Sequence, residues 1–320
     1  SSDLVALAAE KQRVFDAMLP LDPARVVRGQ YELTVPAGVP ALTVTANLIV
    51  TTWPAPIAPM FTVNSGDVAT MGQSSANHPL LGAATPLAES DAFLLTGRLS
   101  ATEPGWLKDH AVFGTVLVPG TGLLELGFAA ARAVGLTTVS QLTLMAPLVL
   151  PPEGAVRVQV QVDAPGEGDD GQRELSIYSR SEDASEGTVW TLHAQGMLSG
   201  ADAQAAMPEE AGLEAWPPAG GTSIDLTGFY ATLQARGYGY GPSFQGLREA
   251  WRVGDTVYGR AVLPEALSSS AEQYGLHPAL LDAALHVLGL AVAGEADVGD
   301  FVARLVGGED LAGERHFDRI

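Results

Sequence analysis

The chain of 320 residues contains no cysteine. This absence excludes disulfide frameworks, thiolate zinc sites and cysteine nucleophiles, and it favours a reducing compartment. Any chemistry must therefore come from histidine, aspartate, glutamate, serine or tyrosine.

Positive charge is also scarce, because 17 Lys and Arg side chains stand against 37 Asp and Glu, a net charge of −20. Such an acidic chain is not expected to bind nucleic acid or an acidic membrane face.

No apolar run reaches the roughly 18 residues of a membrane span, and the first residues, Ser1-Ser2-Asp3, lack the basic region of a signal peptide. A hydrophobic content of 47% with 17% charged residues is typical of a folded protein. We expect a cytoplasmic protein of about two domains.

The first 76 residues form a segment of unknown role. Apolar spacing predicts a helix over 4–18, and alternation predicts short strands at 29–35, 43–52 and 59–64. Residues 66–77 are rich in Gly, Ser, Asp, Asn and Gln, which is typical of a linker. We therefore place a domain boundary near residue 77.

Two helices that are apolar on nearly every side, at 121–134 and 279–292, dominate the rest of the chain, and such helices must be buried. Alternation and turn signals predict strands around them at 139–150, 155–163, 173–180, 188–199, 245–253 and 256–263. A stretch rich in Ala, Gly and Pro at 200–221 separates the two groups. The sequence thus predicts an α+β protein in which 77–199 and 222–320 each wrap strands around one buried helix. An internal echo supports the repeat: His78-Pro79-Leu80-Leu81 and His277-Pro278-Ala279-Leu280-Leu281.

The first candidate for chemistry is His110, which precedes Gly114, an apolar strand and the pair Pro119-Gly120. This order places an imidazole beside the start of a helix, where free N–H groups at Gly120 and Thr121 can bind a carbonyl oxygen. The alternative is a histidine in an ordinary loop.

The second candidate is the pair Asp282 and His286, which lie four residues apart and so on one face of the apolar helix. A carboxyl buried among leucines is expected to have a raised pKa and to serve as an acid near neutral pH. The alternative is a carboxylate stabilised by the helix N-terminus behind Pro278.

The third candidate is the segment from Tyr238 to Gln245, in which Tyr240 stands between two glycines and is followed by Pro242. These residues predict a tight loop that holds a phenol in a defined place, although such a segment is also typical of a plain turn. The sequence shows no P-loop, dinucleotide fingerprint, metal-ligand spacing or nucleophile elbow.

In this order, the three segments resemble the dehydratase domain of modular polyketide synthases over about residues 77–292. His78-Pro79-Leu80-Leu81-Gly82 is similar to the family's start. The positions that match the family's motifs are His110, Gly114 and Pro119; Tyr240, Gly241 and Pro242; and Asp282 and His286. The resemblance implies a double hot dog fold, two helix-in-sheet units side by side.

The resemblance also implies an activity, a hydro-lyase reaction on a β-hydroxyacyl thioester that yields an α,β-unsaturated thioester. His110 would be the base and Asp282 the acid, while Tyr240 and His286 would orient the acid or the hydroxyl, and the Gly120 N–H would bind the thioester oxygen. No metal and no cofactor of its own is implied, since the substrate rides on the phosphopantetheine arm of an acyl carrier protein. Other synthase domains and a second copy of the chain are the further expected partners.

Alternatives remain at the level of the sequence: a non-catalytic hot dog module for docking, a double-bond isomerase, or a pyran-forming cyclase. Only 28 residues follow position 292, with at most one strand at 301–306, so the second hot dog is expected to be incomplete. In the N-terminal segment, residues 26–31, Trp53 and Pro59-Met60-Phe61 resemble a run in glucose-6-phosphate dehydrogenases, from which no function follows.

Overall fold

The computed structural model describes residues 27–33, 42–48, 68, 72–166, 171–185, 187–200, 216–254 and 256–292. The predicted helix at 4–18 and the predicted strands at 59–64 and 301–306 lie outside the described residues. So does most of the predicted linker at 200–221.

A seven-stranded antiparallel sheet forms the first unit, in the order β3-β4-β5-β10-β11-β12-β8. Its strands are β3 (Ser74–His78), β4 (Leu81–Pro86), β5 (Phe93–Leu99), β8 (Thr138–Leu144), β10 (Val156–Val162), β11 (Arg173–Ser181) and β12 (Thr191–Ser199). In β10 every valine from Val156 to Val162 is buried, while the residues between them are exposed or half-buried. This alternation, which the sequence displays directly, turns one face of the sheet towards the core.

Two sequence predictions differ from this sheet. The segment predicted as a linker over 66–77 already contains the start of β3 at Ser74. The predicted strand at 139–150 is two strands, because β8 ends at Leu144 and the short β9 (Leu148–Val149) belongs to another sheet. Pro147 stands between them and has no N–H with which to continue the ladder.

Helix α1 (Gly120–Ala133) packs against β8, β10, β11 and β12, and every residue from Thr121 to Ala131 is buried. Gly135 ends the helix in the left-handed region, at a φ of 75°. The Leu136 N–H donates to the Ala131 carbonyl at 2.8 Å and the Gly135 N–H to the Arg132 carbonyl at 3.2 Å, which is a Schellman cap. The sequence prediction of a buried helix at 121–134 is confirmed.

The second unit contains a three-stranded sheet of β13 (Thr222–Ile224), β15 (Leu247–Val253) and β16 (Thr256–Ala261) in its described part, with helix α4 (Pro278–Val292) packed against β15 and β16. Two short helices, α2 (Phe229–Ala235) and α3 (Glu265–Ser268), accompany it. The hairpin of β1 (Val27–Leu33) and β2 (Leu42–Leu48) places β2 beside β16 and α4.

A four-stranded sheet joins the two units, in the order β14-β6-β7-β9, where β6 is His110–Val112, β7 is Thr115–Val118 and β14 is Tyr238–Tyr240. Helix α4 begins in the same hydrophobic core as α1, through Ala279, Leu280, Leu281 and Ala283. The Thr121 hydroxyl donates to the Pro278 carbonyl across this boundary at 3.0 Å. The starts of the two buried helices therefore lie side by side.

Candidate active site

His110 opens β6 and is 5% exposed. Its Nδ1 lies 3.0 Å from the Leu117 carbonyl oxygen, which can only accept, so Nδ1 carries the proton and Nε2 keeps a lone pair. Burial lowers the pKa of His110 because it disfavours the imidazolium, and the Asp282 charge and the Leu117 carbonyl only partly oppose this effect. The geometry presents a neutral imidazole with its basic nitrogen free.

The spacing from His110 to Gly114 and Pro119 is set by a turn and a helix start. Phe113 and Gly114 both have positive φ, 48° and 80°, the two-residue hairpin turn between β6 and β7 that strongly prefers glycine. Pro119 then caps α1, and its carbonyl accepts the Gly122 and Leu123 N–H groups. A Cβ on Gly120 would approach the Leu144 side chain to 3.0 Å. Since Gly120 is the first residue of α1, its N–H has no partner within the helix.

The Tyr-Gly-Pro segment is tied directly to the residue before His110. Tyr240 pairs with His110 in the β14–β6 ladder, and the Gly241 N–H donates to the Asp109 carbonyl at 2.7 Å. A Cβ on Gly241 would lie 2.6 Å from the Asp109 carboxyl carbon, so this position needs glycine for space. Pro242 then starts a short 3-10 helix over Pro242–Phe244.

Asp109 also accepts two hydrogen bonds from Ser243 on its Oδ2, from the backbone N–H at 3.0 Å and from the hydroxyl at 2.6 Å. Phe244 packs on the His110 ring, with the ring centroids 5.1 Å apart. Asp109 was not singled out from the sequence, and Phe244 was noted only as part of the segment from Tyr238 to Gln245. The position of Asp109 next to His110 was the one available signal, because Ser243 lies 134 positions away.

Asp282 and His286 lie on one face of α4, as predicted, and both side chains are mostly buried. His286 Nε2 is 3.2 Å from Asp282 Oδ2, an ion-pair distance whose angles fall outside hydrogen-bond geometry. The His286 ring is 4.3 Å from the Tyr240 ring between centroids. The site thus joins side chains of α4 to the β14–β6 ladder.

The pKa of Asp282 departs from the sequence prediction. Burial raises it, but His286 and the charge of His110 outweigh burial and hold the pKa below its usual range. The prediction of a raised pKa was wrong because a spacing of four residues showed one imidazole partner, whereas the fold brings a second one, His110, from the other unit. The Tyr240 phenol has a pKa well above its ordinary value through burial and the Asp282 charge, and so it stays neutral.

A further residue of the site, Tyr230 on α2, was not singled out from the sequence. Its hydroxyl lies 3.3 Å from His286 Nδ1 and accepts the Leu247 N–H at 3.0 Å. Tyr230 precedes His286 by 56 positions, and no local pattern links the two.

The other histidines of the described chain serve the fold. His78 Nδ1 accepts the Leu80 N–H and His277 Nδ1 accepts the Ala279 N–H, each at 3.2 Å. The internal echo of the sequence is thus a repeated turn, and burial lowers the pKa of His277 to about 4. His193 lies in β12, and its Nε2 forms a hydrogen bond with the Ser179 hydroxyl.

Within the described ranges, no three His, Asp or Glu side chains cluster as a metal site would require. The helices of the same ranges are all too short or too polar to cross a membrane.

Comparison with known proteins gives consistent matches. Residues 78–180 match the profile of the polyketide synthase dehydratase domain, and residues 208–305 match the profile of the polyketide synthase dehydratase N-terminal domain. Over 70% of the chain, identity is 49% to polyketide synthase GfsB of Streptomyces halstedii and 50% to the pikromycin synthase component PikAII of Streptomyces venezuelae. The chain spans only 4% and 6% of these two proteins.

Solved structures also match. A dehydratase from work on the borrelidin and fluvirucin synthases is 45% identical, with a TM-score of 0.63, over 70% of this chain and 78% of that one. A bifunctional dehydratase-cyclase domain of ambruticin biosynthesis is 47% identical, with a TM-score of 0.60, over 68% and 77%.

Two mutants of the CurK dehydratase match as well, and both are described as inactive. One replaces a histidine by phenylalanine (36% identity, TM-score 0.57, 67% of this chain and 74% of that one). The other replaces an aspartate by asparagine (34% identity, TM-score 0.55, 68% and 73%). The predicted double hot dog fold is confirmed by these neighbours together with the antiparallel sheets.

Proposed function

The chain belongs to the polyketide synthase dehydratase domain family, and from this membership we propose that it removes water from a β-hydroxyacyl thioester to give an α,β-unsaturated thioester. The substrate is carried on the phosphopantetheine arm of an acyl carrier protein. The observation that carries the proposal is the pairing of a buried His110, with a free Nε2, and a buried Asp282 that interacts with it electrostatically.

The reaction needs a base and an acid at once. The α-proton of a thioester is weakly acidic, so His110 Nε2 takes it while the Gly120 N–H stabilises the thioester oxygen. The C–H electron pair becomes the new double bond and the C–O bond breaks. Hydroxide is a poor leaving group, so the Asp282 carboxyl protonates it and water departs. The proton then held by His110 returns to Asp282 through solvent, which restores the site.

The remaining site residues orient these groups. Tyr240 keeps its proton and can donate a hydrogen bond to the substrate hydroxyl. His286 holds the Asp282 carboxyl from the same helix face. Gly114, Pro119, Gly241 and Pro242 shape the two loops that place His110 and Tyr240.

The test uses two substitutions, His110→Phe and Asp282→Asn, each of which keeps a side chain close in size to the original. Each variant is incubated with a β-hydroxyacyl pantetheine thioester, and the loss of one water is detected by mass. We expect each variant to lose at least about a hundredfold in rate, the scale of one positioned acid or base. The CurK variants of the same types are described as inactive. Asp225→Asn, at an exposed turn carboxylate bonded to Thr227, is the control and should retain full activity. A His110→Phe or Asp282→Asn variant within about tenfold of wild type would remove that residue from its proposed role.

A second candidate function is pyran formation after dehydration, which the 47% identity to the ambruticin dehydratase-cyclase favours. A substrate with an additional hydroxyl that can reach the new double bond separates the two. Cyclisation keeps the mass of the dehydrated product but removes the absorbance of the conjugated enoyl thioester.

The proposed partners follow from the family. They are the acyl carrier protein, neighbouring synthase domains and a second copy of the chain. For the homodimer we propose an edge of the seven-stranded sheet, either β3 or β8, because unpaired strand edges invite pairing.

A further inference from the structure

Tyr230 connects the second sheet to the helix that carries the acid. Its hydroxyl accepts the backbone N–H of Leu247 on β15 at 3.0 Å and lies 3.3 Å from His286 Nδ1 on α4. The Tyr230 and His286 rings meet edge to face, with centroids 5.6 Å apart. Three elements, α2, β15 and α4, therefore fix the position of this hydroxyl.

The direction of each hydrogen bond follows from the groups involved. The Leu247 N–H can only donate, so the Tyr230 oxygen accepts there and its own O–H is available to His286. Burial raises the pKa of Tyr230 to about 12, so the hydroxyl keeps its proton at any pH near neutrality. On the other side of the ring, His286 Nε2 faces a carboxylate oxygen of Asp282 at 3.2 Å, which when ionised can only accept. A Tyr230 O–H that donates to Nδ1 and a carboxylate charge beside Nε2 both favour a proton on Nε2 and a lone pair on Nδ1.

We propose that Tyr230 is a positioning residue of the acid: its O–H holds His286 in the Nε2–H tautomer, so that His286 presents an N–H to Asp282 and keeps the carboxyl aligned. The effect of this tautomer on catalysis rests on the proposed function, whereas the contacts of Tyr230 with Leu247 and His286 do not. Without the Tyr230 hydroxyl, only the Asp282 carboxylate still favours a proton on Nε2, so the tautomer with the proton on Nδ1 becomes more accessible to His286. That tautomer turns a lone pair towards the carboxylate.

The comparison with His110 shows why the tautomer matters. The Leu117 carbonyl fixes His110 with its proton on Nδ1 and a lone pair on Nε2, as a base requires. Tyr230 fixes His286 in the opposite tautomer, as a donor requires. Two imidazoles that both pack on Tyr240 are thus held in opposite tautomers by one backbone acceptor and one phenolic donor.

The direct test is the substitution Tyr230→Phe, which removes the hydroxyl and keeps the ring. The ring ¹⁵N shifts of His286, assigned by their loss in a His286→Gln variant, report which nitrogen carries the proton. We expect the Nε2–H tautomer in the wild-type protein and a mixture of tautomers in Tyr230→Phe, while His110 keeps its Nδ1–H signal in both. The kcat for dehydration should fall about tenfold, the scale of one lost hydrogen bond, with KM changed less than about threefold.

Tyr274→Phe is the matched control. Tyr274 has the same raised pKa of about 12 from burial, and its hydroxyl accepts a hydrogen bond from Trp106 Nε1 rather than contacting His286. We expect this variant to keep both the wild-type tautomer and the wild-type kcat per folded molecule.

A double substitution separates positioning from a general effect on folding. The His286→Gln side chain has a fixed N–H donor and no alternative tautomer for Tyr230 to select. In this background, Tyr230→Phe should therefore lower kcat less than about twofold, well below its effect in the wild-type background. An unchanged tautomer in Tyr230→Phe, an unchanged kcat, or equal costs in the two backgrounds would each overturn the proposal. If the wild-type protein does not dehydrate the thioester, the proposed function fails, while the ¹⁵N spectrum still decides whether Tyr230 sets the tautomer.

Discussion

His110 and Asp282 interact, and both have a pKa below the ordinary value of the residue type. In the proposed mechanism, the productive state has a neutral His110 and a protonated Asp282, so the pair must carry one proton in all. Interacting groups titrate in two steps that belong to the pair. Because the His110 pKa lies below 6.5 and the Asp282 pKa below 3.8, the pair loses its last proton below pH 6.5.

This order of titration predicts a bell-shaped profile of kcat/KM whose alkaline limb lies below pH 6.5. Above that limb the rate should fall about tenfold per pH unit, because no acid proton remains in the free enzyme. The profile is measured with a pantetheine thioester, which has no group that titrates in this range. A kcat/KM that is level from pH 6.5 to 8 would contradict the assignment of both limbs to this pair.

At the residue level, the candidate catalytic side chains were predicted from the sequence, but the residues that hydrogen-bond to their neighbours and hold them in place were not. His110, Tyr240 and Asp282 were found from short motifs, and the structure places them in mutual contact or electrostatic reach. Tyr230 and Asp109 were missed because their partners lie 56 and 134 positions away. A hydrogen bond between distant residues leaves no recognisable pattern in a single sequence. A turn residue such as Gly114 is recognisable because it belongs to a short local motif.

At the level of elements, α1 contains a buried charge that its apolar sequence does not suggest. Glu125 is 1% exposed, and its carboxylate accepts the Gly275 and Leu276 N–H groups at 2.7 and 3.0 Å. His78 Nε2 also lies 3.0 Å from Glu125 Oε1, the oxygen that accepts the Gly275 N–H. Since Gly275 and Leu276 lead into α4, Glu125 fixes the approach of the helix that carries Asp282.

We predict that Glu125→Gln lowers the free energy of unfolding by about 3 kcal/mol, because an amide leaves one buried donor without an acceptor. Urea unfolding measures the loss. Glu182→Gln is the control, since Glu182 pairs with Arg98 and both side chains are partly exposed to solvent, and its midpoint should stay nearly unchanged. Equal midpoints for the two variants would show that the Glu125 contacts contribute little.

The elements themselves were well predicted where one period dominates. The valine alternation of β10 and the apolar run of α1 each matched the structure to within about a residue. Prediction failed where local breaks decide the outcome, as at Pro147, which divides one apolar stretch between two sheets. The joining of β6 to β14 could not be foreseen, because this pairing depends on the docking of two units.

For the whole molecule, net charge bears on the proposed encounter with an acyl carrier protein. Residues 1–76 carry four positive and six negative side chains, so −18 of the net −20 lies in 77–320. The sequence offers four arginines as candidates for a local docking patch: Arg132, Arg236, Arg248 and Arg252. Arg132 and Arg248 are both exposed, although Arg132 lies 3.4 Å from Glu125, and Arg252 donates to the Leu290 carbonyl. A hydrogen bond or an ion pair thus engages Arg252 and Arg132, which limits the positive charge that these four arginines offer for docking.

Carrier proteins are usually acidic as well, so broad attraction cannot drive this encounter, and covalent tethering would supply the effective concentration. We predict that added salt leaves the rate with a free carrier-bound substrate unchanged or raises it, because screening weakens like-charge repulsion. The measurement is the initial rate of dehydration across a salt titration. The same acyl group on free pantetheine is the control, since its rate should not respond to screening. A steep fall with salt for the carrier-bound substrate alone would reveal a strong basic docking face and contradict the prediction.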